Sequence, residues 1–563
     1  MIEKIKFLLK VLENDGQKHF KTKISFILLI VLIGAVIEFI NFSFIIPILS
    51  KMSENINTES DYDNLFFLRY LFQFDIIELL FYTIIIVFIK NTIQFTGIYL
   101  MNKFSHSIEA SISRTLFLSD LNLSLESVKA KNTSESINNT ISLAFNINRY
   151  FVLPLISIIT DSFVLISILV FLLVISPEIT LMSILLFGFF LYGYSKFLGK
   201  KFNIWGKIKI KADEKRLKII QESLGSIIDI KINNKHSFFL DKYKGPNNQS
   251  CEVGVYQNSF NQLPRFYFEI LMYLFLLLTV IVINNYLESN PNTLILLGVF
   301  AASLLKALPI LNKLTSSYHS INFSEYSFEL IKKTKFINPK KTKTEDEFVF
   351  KNKIELKNIS FGYKGNENLT LKDLNLEIHK GQSYAIIGES GSGKSTFISI
   401  LLGLLIPKNG QVLCDGESIH NKLDAWHKNI GFVPQDIYLI DDTVKNNILF
   451  GLNYSKIDES RLWKAIKQSQ LDEFITCKKD LEINIGERGL MISGGQKQRI
   501  GIARVLYKNP EIIIFDESTS SLDASNEKEI FNTIQSLADK KTIIVISHNE
   551  KAIRFCQNKF HIN

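Results

Sequence analysis

The chain has 563 residues, with 64 basic against 55 acidic side chains for a formal charge of +9, and is 47% apolar, its 45 phenylalanines concentrated before residue 315. That length calls for two or more domains, and so small a basic excess points to a membrane surface before nucleic acid. The four cysteines (Cys251, Cys414, Cys477 and Cys556) form no Cys-x-x-Cys pair, which excludes a zinc ribbon or disulfide framework and fits a reducing compartment.

Residues 1–23 are basic with apolar positions Ile2, Ile5, Leu8, Leu9 and Leu12. They lack the order of a cleaved signal peptide and are expected to form an amphipathic helix on the cytoplasmic membrane surface. Six apolar stretches follow, at 24–50, 78–102, 148–176, 178–199, 266–286 and 293–314. Each approaches or exceeds the ~20 residues a helix needs to cross the hydrocarbon core. Only Ser176, Pro177 and Glu178 separate the third from the fourth. Lys and Arg collect at the N-terminus and in the loops 103–147 and 200–264, whereas 51–77 and 287–292 favour acids. Positive residues stay inside, so both termini and both long loops are expected in the cytoplasm. The long loops read as helical extensions of the spans. Outside, Leu65, Phe66, Leu68, Leu71 and Phe72 suit the apolar face of a short interfacial helix. The sequons at Asn132 and Asn138 fall in a cytoplasmic loop and read as accidental.

These features make 1–330 a six-helix membrane domain and 331–350 a charged linker. The remainder, 351–563, is a soluble α/β domain whose short Ile- and Val-rich strands alternate with helices, the pattern of a largely parallel sheet. Within it, Gly388, Glu389, Ser390, Gly391, Ser392, Gly393, Lys394, Ser395 and Thr396 fit the phosphate-loop pattern G-x-x-x-x-G-K-[ST]. An apolar strand, Ser383 to Ile387, precedes the loop, and Phe397 to Leu405 reads as a helix after it. The glycines let several N–H groups converge on one anion, and the helix start adds partial positive charge. Lys394 is placed for the β- and γ-phosphates and the Ser395 hydroxyl for Mg²⁺. Further on, the apolar strand Ile512 to Phe515 ends in Asp516 and Glu517. Asp516 is expected to hold Mg²⁺ and Glu517 to polarise the attacking water. Ser493, Gly494, Gly495 and Gln496 open a helix and offer a second anion site.

The phosphate loop, the Ile-Ser-Gly-Gly-Gln stretch and Asp516-Glu517 together resemble the ATP-binding cassette (ABC) family of α/β P-loop NTPases. The resemblance implies that Tyr363 stacks on adenine. It implies that Gln435 senses Mg²⁺ and contacts the membrane domain, that Asp523 belongs to the D-loop, and that His548 is the switch histidine facing the γ-phosphate. Gly486 to Gly489 resembles the exporter-type X-loop. Ile492 stands where Leu is usual, and Asn549 and Glu550 follow His548 where Arg and Leu are usual. The family's C-terminal strands and helix are expected to be short or absent, with no regulatory extension. The family places each ATP between one subunit's phosphate loop and the other's signature serine, which implies a homodimer with two competent sites. Its couplers are short cytoplasmic helices, expected here near Ser124 to Lys131 and after the stretch Glu222 to Tyr243.

Within the spans, the basic residues are Lys90, Arg265, Lys306 and Lys313 and the acids are Glu38, Asp161 and Glu269. Arg265 and Glu269 are spaced to satisfy each other. The three lysines have no acid nearby in sequence, so a wet, anion-attracting cavity is expected around them. Pro264-Arg265-Phe266-Tyr267 and Leu305-Lys306-Ala307-Leu308-Pro309 resemble the PglK-type flippases of lipid-linked oligosaccharides. That group carries arginines at these basic positions, whereas three of the four here are lysine, which keeps charge and loses bidentate geometry. The resemblance implies an ATP- and Mg²⁺-dependent flippase for a polyprenyl-pyrophosphate-linked oligosaccharide in the bacterial inner membrane. Its partners would be a second copy, membrane lipids and the glycolipid, without nucleic acid. The rival reading is an exporter of another amphiphile, such as a lipid A-like lipid, a drug or a peptide.

Overall fold

The computed structural model describes residues 2–15, 20–52, 70–286, 292–333, 348–363, 368–389, 391–452, 457–517, 533–538, 540–547, 553–554 and 556–562. The chain divides into two units, Met1–Leu123 with Ala130–Pro339, and Ser124–Lys129 with Lys340–Asn563.

The first unit is helical: α1 (Ile2–Asn14), α2 (Phe20–Ser43), α3 (Ile45–Met52) and α4 (Ile76–Leu121) come first; the short α5 (Leu125–Ala130), nearly all of which belongs to the second unit, follows in the chain. Next are α6 (Thr133–Ile175, taken as one helix), α7 (Pro177–Gly225), the short α8 (Ile227–Ile232), α9 (His236–Tyr286), α10 (Asn292–Phe323) and α11 (Glu325–Lys333). Among the described residues, six helical segments are long and apolar enough to cross a membrane. They coincide with the six expected stretches and run well beyond them. At 46, 49 and 51 residues, α4, α7 and α9 are roughly twice as long as the ~30 Å hydrocarbon core requires. The turn between α6 and α7 is a single extended residue, Ser176, with Pro177 at the first helical position, where its missing N–H costs nothing. The short helix α5 falls within the range expected for the first coupler, whereas α8 lies inside the stretch Glu222 to Tyr243, ahead of where the second is expected.

Three differences from the sequence reading have clear causes. The apolar face of α1 is covered by protein: Leu8, Val11 and Leu12 are buried in one cluster with Phe104, Ile108 and Ile112 of α4 and Phe328 and Ile331 of α11. Ion pairs Lys4–Glu325 (2.5 Å) and Arg114–Asp15 (3.0 Å) fasten it. An amphipathic stripe specifies that something apolar covers it, and lipid and helix are equivalent on that count. Of the proposed external interfacial face, Leu65, Phe66 and Leu68 lie outside the described residues. Leu71 and Phe72 are buried with Leu79 and Phe171 in the membrane-domain core. Finally, α6 contains two π turns, Asn139–Leu143 and Asn148–Val152, which hydrophobic periodicity does not signal.

The second unit holds two sheets. One is antiparallel, in the order β2 (Leu371–His379), β1 (Lys353–Phe361), β4 (Asn409–Cys414), β5 (Glu417–Ser418). The other is parallel, in the order β6 (Ile430–Val433), β7 (Ile512–Asp516), β8 (Thr542–Ile546), β3 (Ser383–Ile387), β9 (Asn558–His561). The expectation of a largely parallel sheet holds for the second and misses the first. In β1, Ile354 and Leu356 are buried while Glu355 and Lys357 flank them, the alternation of a half-buried antiparallel strand. The central parallel strands β7 and β8 are apolar in their interiors because both faces are covered, whereas the edge strand β9 is polar and partly exposed. Ile512, Ile514, Ile544 and Ile546 join a core with Phe397 and Trp426. Their neighbours Ile513, Phe515, Ile543 and Val545 join another with Ile500 and Ala503. The helices concerned are α12 (Lys394–Leu401), α13 (Leu423–Asn429) and α16 (Gly494–Lys508), with α14 (Val444–Leu449) and α15 (Glu459–Gln468) between. The helix expected from Phe397 to Leu405 starts three residues earlier and stops at Leu401, because Gly403 (φ 72°) turns the chain away.

One glycine sets how closely two long helices pack. A Cβ on Gly206 of α7 would collide with the backbone carbonyl of Phe323 at the end of α10. Gly206→Ala is therefore expected to destabilise the membrane unit by about 1–3 kcal/mol, seen as a lower unfolding midpoint in detergent. Gly188→Ala, where a Cβ meets nothing within 4 Å, should leave that midpoint unchanged.

Candidate functional site

The phosphate loop leaves the end of β3, which is held between β8 and β9. Gly391 (φ 90°) and Gly393 (φ 100°) take left-handed conformations, and a side chain at Gly393 would meet Leu371 and the Thr370 carbonyl. The chain then enters α12 at Lys394, with the first N–H groups of the helix turned toward the loop. The Lys394 side chain is buried, and its ammonium donates to the Gly388 and Glu389 carbonyls at 2.8 Å each. With two donors fixed inside the loop, the third is directed by tetrahedral geometry. Ser395 is exposed, Ser392 half-buried, and Thr396 buried with its hydroxyl 3.3 Å from the Tyr363 hydroxyl. Ser390, Asp523 and His548 lie outside the described residues.

The carboxylates come from the C-terminal end of β7. Asp516 is the last residue of the strand, paired with Ile546. Burial, then the charge of Glu517, raise its pKa to about 6 against the opposing pull of Lys394. Glu517 adopts φ 44°, and its N–H donates to the Ile546 carbonyl at 2.9 Å. A left-handed glutamate costs on the order of 1 kcal/mol, a strain that places the side chain off the strand axis and toward Gln435. Gln435 follows β6, the neighbour of β7, and its Nε2 donates to Glu517 Oε2 at 3.0 Å. Nothing in the sequence signals this strain or this bond. A half-buried carboxylate beside a second one, with the Ser395 hydroxyl and the Gln435 amide oxygen available, suits Mg²⁺, which takes few protein carboxylates and completes its shell with phosphate and water.

The signature stretch opens α16. Ser493 caps it: its Oγ accepts from the Gln496 N–H at 3.2 Å, and its own N–H donates to Gln496 Oε1 at 3.0 Å. This is a reciprocal capping box, which the spacing Ser-x-x-Gln already contained and the functional reading passed over. The oxygen lone pair is engaged and the hydroxyl proton is left to donate. Gly494 is exposed and a Cβ there would meet nothing within 4 Å, while Gly495 is half-buried. Lys497 ties the helix to the segment after Gln435 through Asp436 at 3.1 Å.

In the membrane unit, a cavity of about 510 Å³ opens between α2, α4, α6 and α10, with apolar walls and Glu38, Asp161, Lys306 and Lys313 among its lining. The three lysines, which have no acid nearby in sequence, find acids on other helices, so the cavity is less plainly basic than expected. Glu38 meets both Lys90 (3.3 Å) and Lys306, and Asp161 meets Lys313 at 3.0 Å. The acids come from α2 and α6 and the bases from α4 and α10, so a search along one helix cannot find the pairs. Arg265 and Glu269 are both exposed on α9 and, among the described residues, form no ion pair. Their spacing brings them within reach, yet holding two long exposed side chains together gains little. Arg265 stands apart from the cavity lining.

Two family models match the chain: one described as the ABC transporter transmembrane region over residues 24–308, the other as ABC transporter over 371–520. The chain belongs to the ABC transporter family. Among curated relatives, an uncharacterized ABC transporter ATP-binding protein, YwjA of Bacillus subtilis, is 42% identical over 207 residues, 36% of this chain and 35% of the relative. An ATP-dependent lipid A-core flippase of Saccharophagus degradans is 31% identical over 338 residues, 60% of this chain and 57% of the relative. The matched stretch thus spans about a third to just over half of these relatives. A solved bacterial Atm1-family ABC exporter with ATP bound has the same fold, with a TM-score of 0.79 at 20% identity, over 96% of this chain and 93% of that one. The ABC transporter is therefore a multi-pass membrane protein with six apolar spans followed by a nucleotide-binding domain of the P-loop type.

The two roles open to Ser493 can be separated. Ser493→Ala should cost α16 about 1 kcal/mol through loss of the cap. Ser493→Asn should restore that stability, since asparagine caps equally well. ATP turnover measured on the same two variants should stay low in both if the hydroxyl also serves phosphate; recovery with asparagine would assign the serine to capping alone.

Proposed function

We propose that two copies of this chain form an ATP-driven exporter that moves a polyprenyl-pyrophosphate-linked oligosaccharide across the bacterial inner membrane, with both termini and the nucleotide-binding domains in the cytoplasm. The observation that carries the motor assignment is the Gln435–Glu517 bond beside Asp516, on the same sheet edge as the phosphate loop. The loop N–H groups and Lys394 would bind the phosphates of ATP. Mg²⁺, held by Ser395, Asp516 and Gln435, would supply charge neutralisation at the β- and γ-phosphates. Gln435 holds the Glu517 carboxylate in one orientation, where it accepts a proton from the attacking water. Tyr363 would stack on adenine, Ser493 of the second copy would donate to the γ-phosphate, and Asp523 and His548 would complete the site. ATP then acts as a ligand that favours the closed dimer, and hydrolysis releases it.

The cargo assignment rests on the membrane unit. Lys306 and Lys313 on an apolar-walled cavity suit an amphiphile with an anionic headgroup, with Lys90 and Arg265 adding positive charge to the same unit. The lipid A-core flippase relative, matched over 60% of this chain, supports a lipid-like cargo and favours a second reading, export of a lipid A-like lipid.

In liposomes loaded with a fluorescent polyprenyl-pyrophosphate oligosaccharide, ATP should drive its transfer between leaflets. Glu517→Gln should bind ATP normally while phosphate release falls at least about a hundredfold, the scale of a lost general base, and transfer should stop. Full-rate hydrolysis by this variant would remove Glu517 from its role. Vigorous ATPase without transfer of this lipid would move the cargo to the second reading.

A further inference from the structure

The side chain of Glu38 is fully buried on α2, and its carboxylate has two lysine partners on two other helices, Lys90 of α4 and Lys306 of α10. Neither oxygen has a further hydrogen bond. The two lysines are not equivalent. The Lys90 side chain is 8% exposed and does not line the cavity. The Lys306 side chain is 36% exposed, lines the cavity, and holds its ammonium 5.4 Å over the Phe42 ring. Seven residues on along α10, Lys313 lines the same cavity and pairs with Asp161.

One carboxylate shared by two ammonium groups leaves one positive charge in excess. A buried charge without a partner is far more costly than a paired one. If Glu38 had a single lysine, an incoming anion that drew that lysine away would orphan the carboxylate. With two, Lys306 can turn into the cavity while Lys90 remains and keeps Glu38 paired. The carboxylate is itself covered by the ammonium groups, so a cationic headgroup finds no exposed acid there to bind.

We infer that Glu38 is a specificity-determining residue of this cavity: it holds Lys306 until an anionic headgroup competes for it, with Lys90 as the permanent counterion. Glu38 therefore sets how much lysine charge a substrate meets. This rests on the proposed export of an anionic amphiphile and names the residue that fixes its charge preference. Asp161 also offsets a lysine of this cavity, Lys313, but among the described residues it has no second lysine to keep it paired.

The test uses the full-length protein in phosphatidylcholine nanodiscs, titrated calorimetrically with dodecyl phosphate against empty discs, with dodecyltrimethylammonium as the cationic control. The double variant Glu38→Gln/Lys90→Gln removes one acid and one base, so the buried charge balance is kept while Lys306 loses its internal partner. It should bind dodecyl phosphate on the order of tenfold tighter than the unaltered protein, with no gain for the cation. Lys306→Gln should lose the binding and Lys306→Arg retain it. Asp161→Asn, at the other pair, gives a second and independent case and should also tighten binding. Unchanged affinity in both acid variants, equal tightening for the cation, or no binding above empty discs would overturn the inference. The export reading is judged separately, by Glu517-dependent transfer in liposomes, so the two failures are distinguishable.

Discussion

The nucleotide-binding domain depends on a parallel sheet buried on both faces. Alternate residues of β7 and β8 feed two different cores, so these strands are apolar along their whole length. The apolar run of β7 breaks at its last residue, Asp516, and that of β3 ends at Ile387, where Gly388 opens the phosphate loop. A slip of one residue would draw the Asp516 carboxylate into an apolar core, at a cost no other contact offsets. The sheet therefore fixes the position of the chemistry through the exclusion of charge, and the open edge of the strands is where Gln435, Asp516, Glu517 and the phosphate loop gather.

This logic explains what the sequence made legible. Glycines at positions that require left-handed backbone, a buried lysine after them, and two carboxylates closing an apolar strand are local patterns with local causes, so the loop and the carboxylates can be read directly. The six spans are legible for the same reason, since length and apolarity are properties of one segment. What stayed hidden depends on partners distant in the chain. The cover over α1, the antiparallel pairing of β1 with β2, the strained φ of Glu517 and its bond to Gln435 all involve contacts that no single window contains.

The membrane unit carries this furthest. In a low-dielectric environment a charge must find an opposite charge, and the helices from which it can do so are set by the packing. Glu38 reaches Lys90 across 52 positions of sequence and Lys306 across 268. No acid lies near these lysines along their own helices, because the compensation runs between helices. The corrected picture changes the cavity from a plainly basic one to one in which acids ration the positive charge.

The two π turns of α6 carry a consequence for how this protein can be compared with its kin. Each π turn holds one residue more than an ordinary turn, so it rotates everything beyond it by about 100°. Both lie upstream of Asp161. Winding the same residues as regular α-helix through both turns would swing Asp161 by roughly 200° around the helix, away from Lys313, whereas deleting one residue from each turn would leave it facing Lys313. In a relative whose third span is wound regularly, residues aligned one-for-one across these turns would face different surroundings, and single-residue gaps there would mark a cavity lining that is kept.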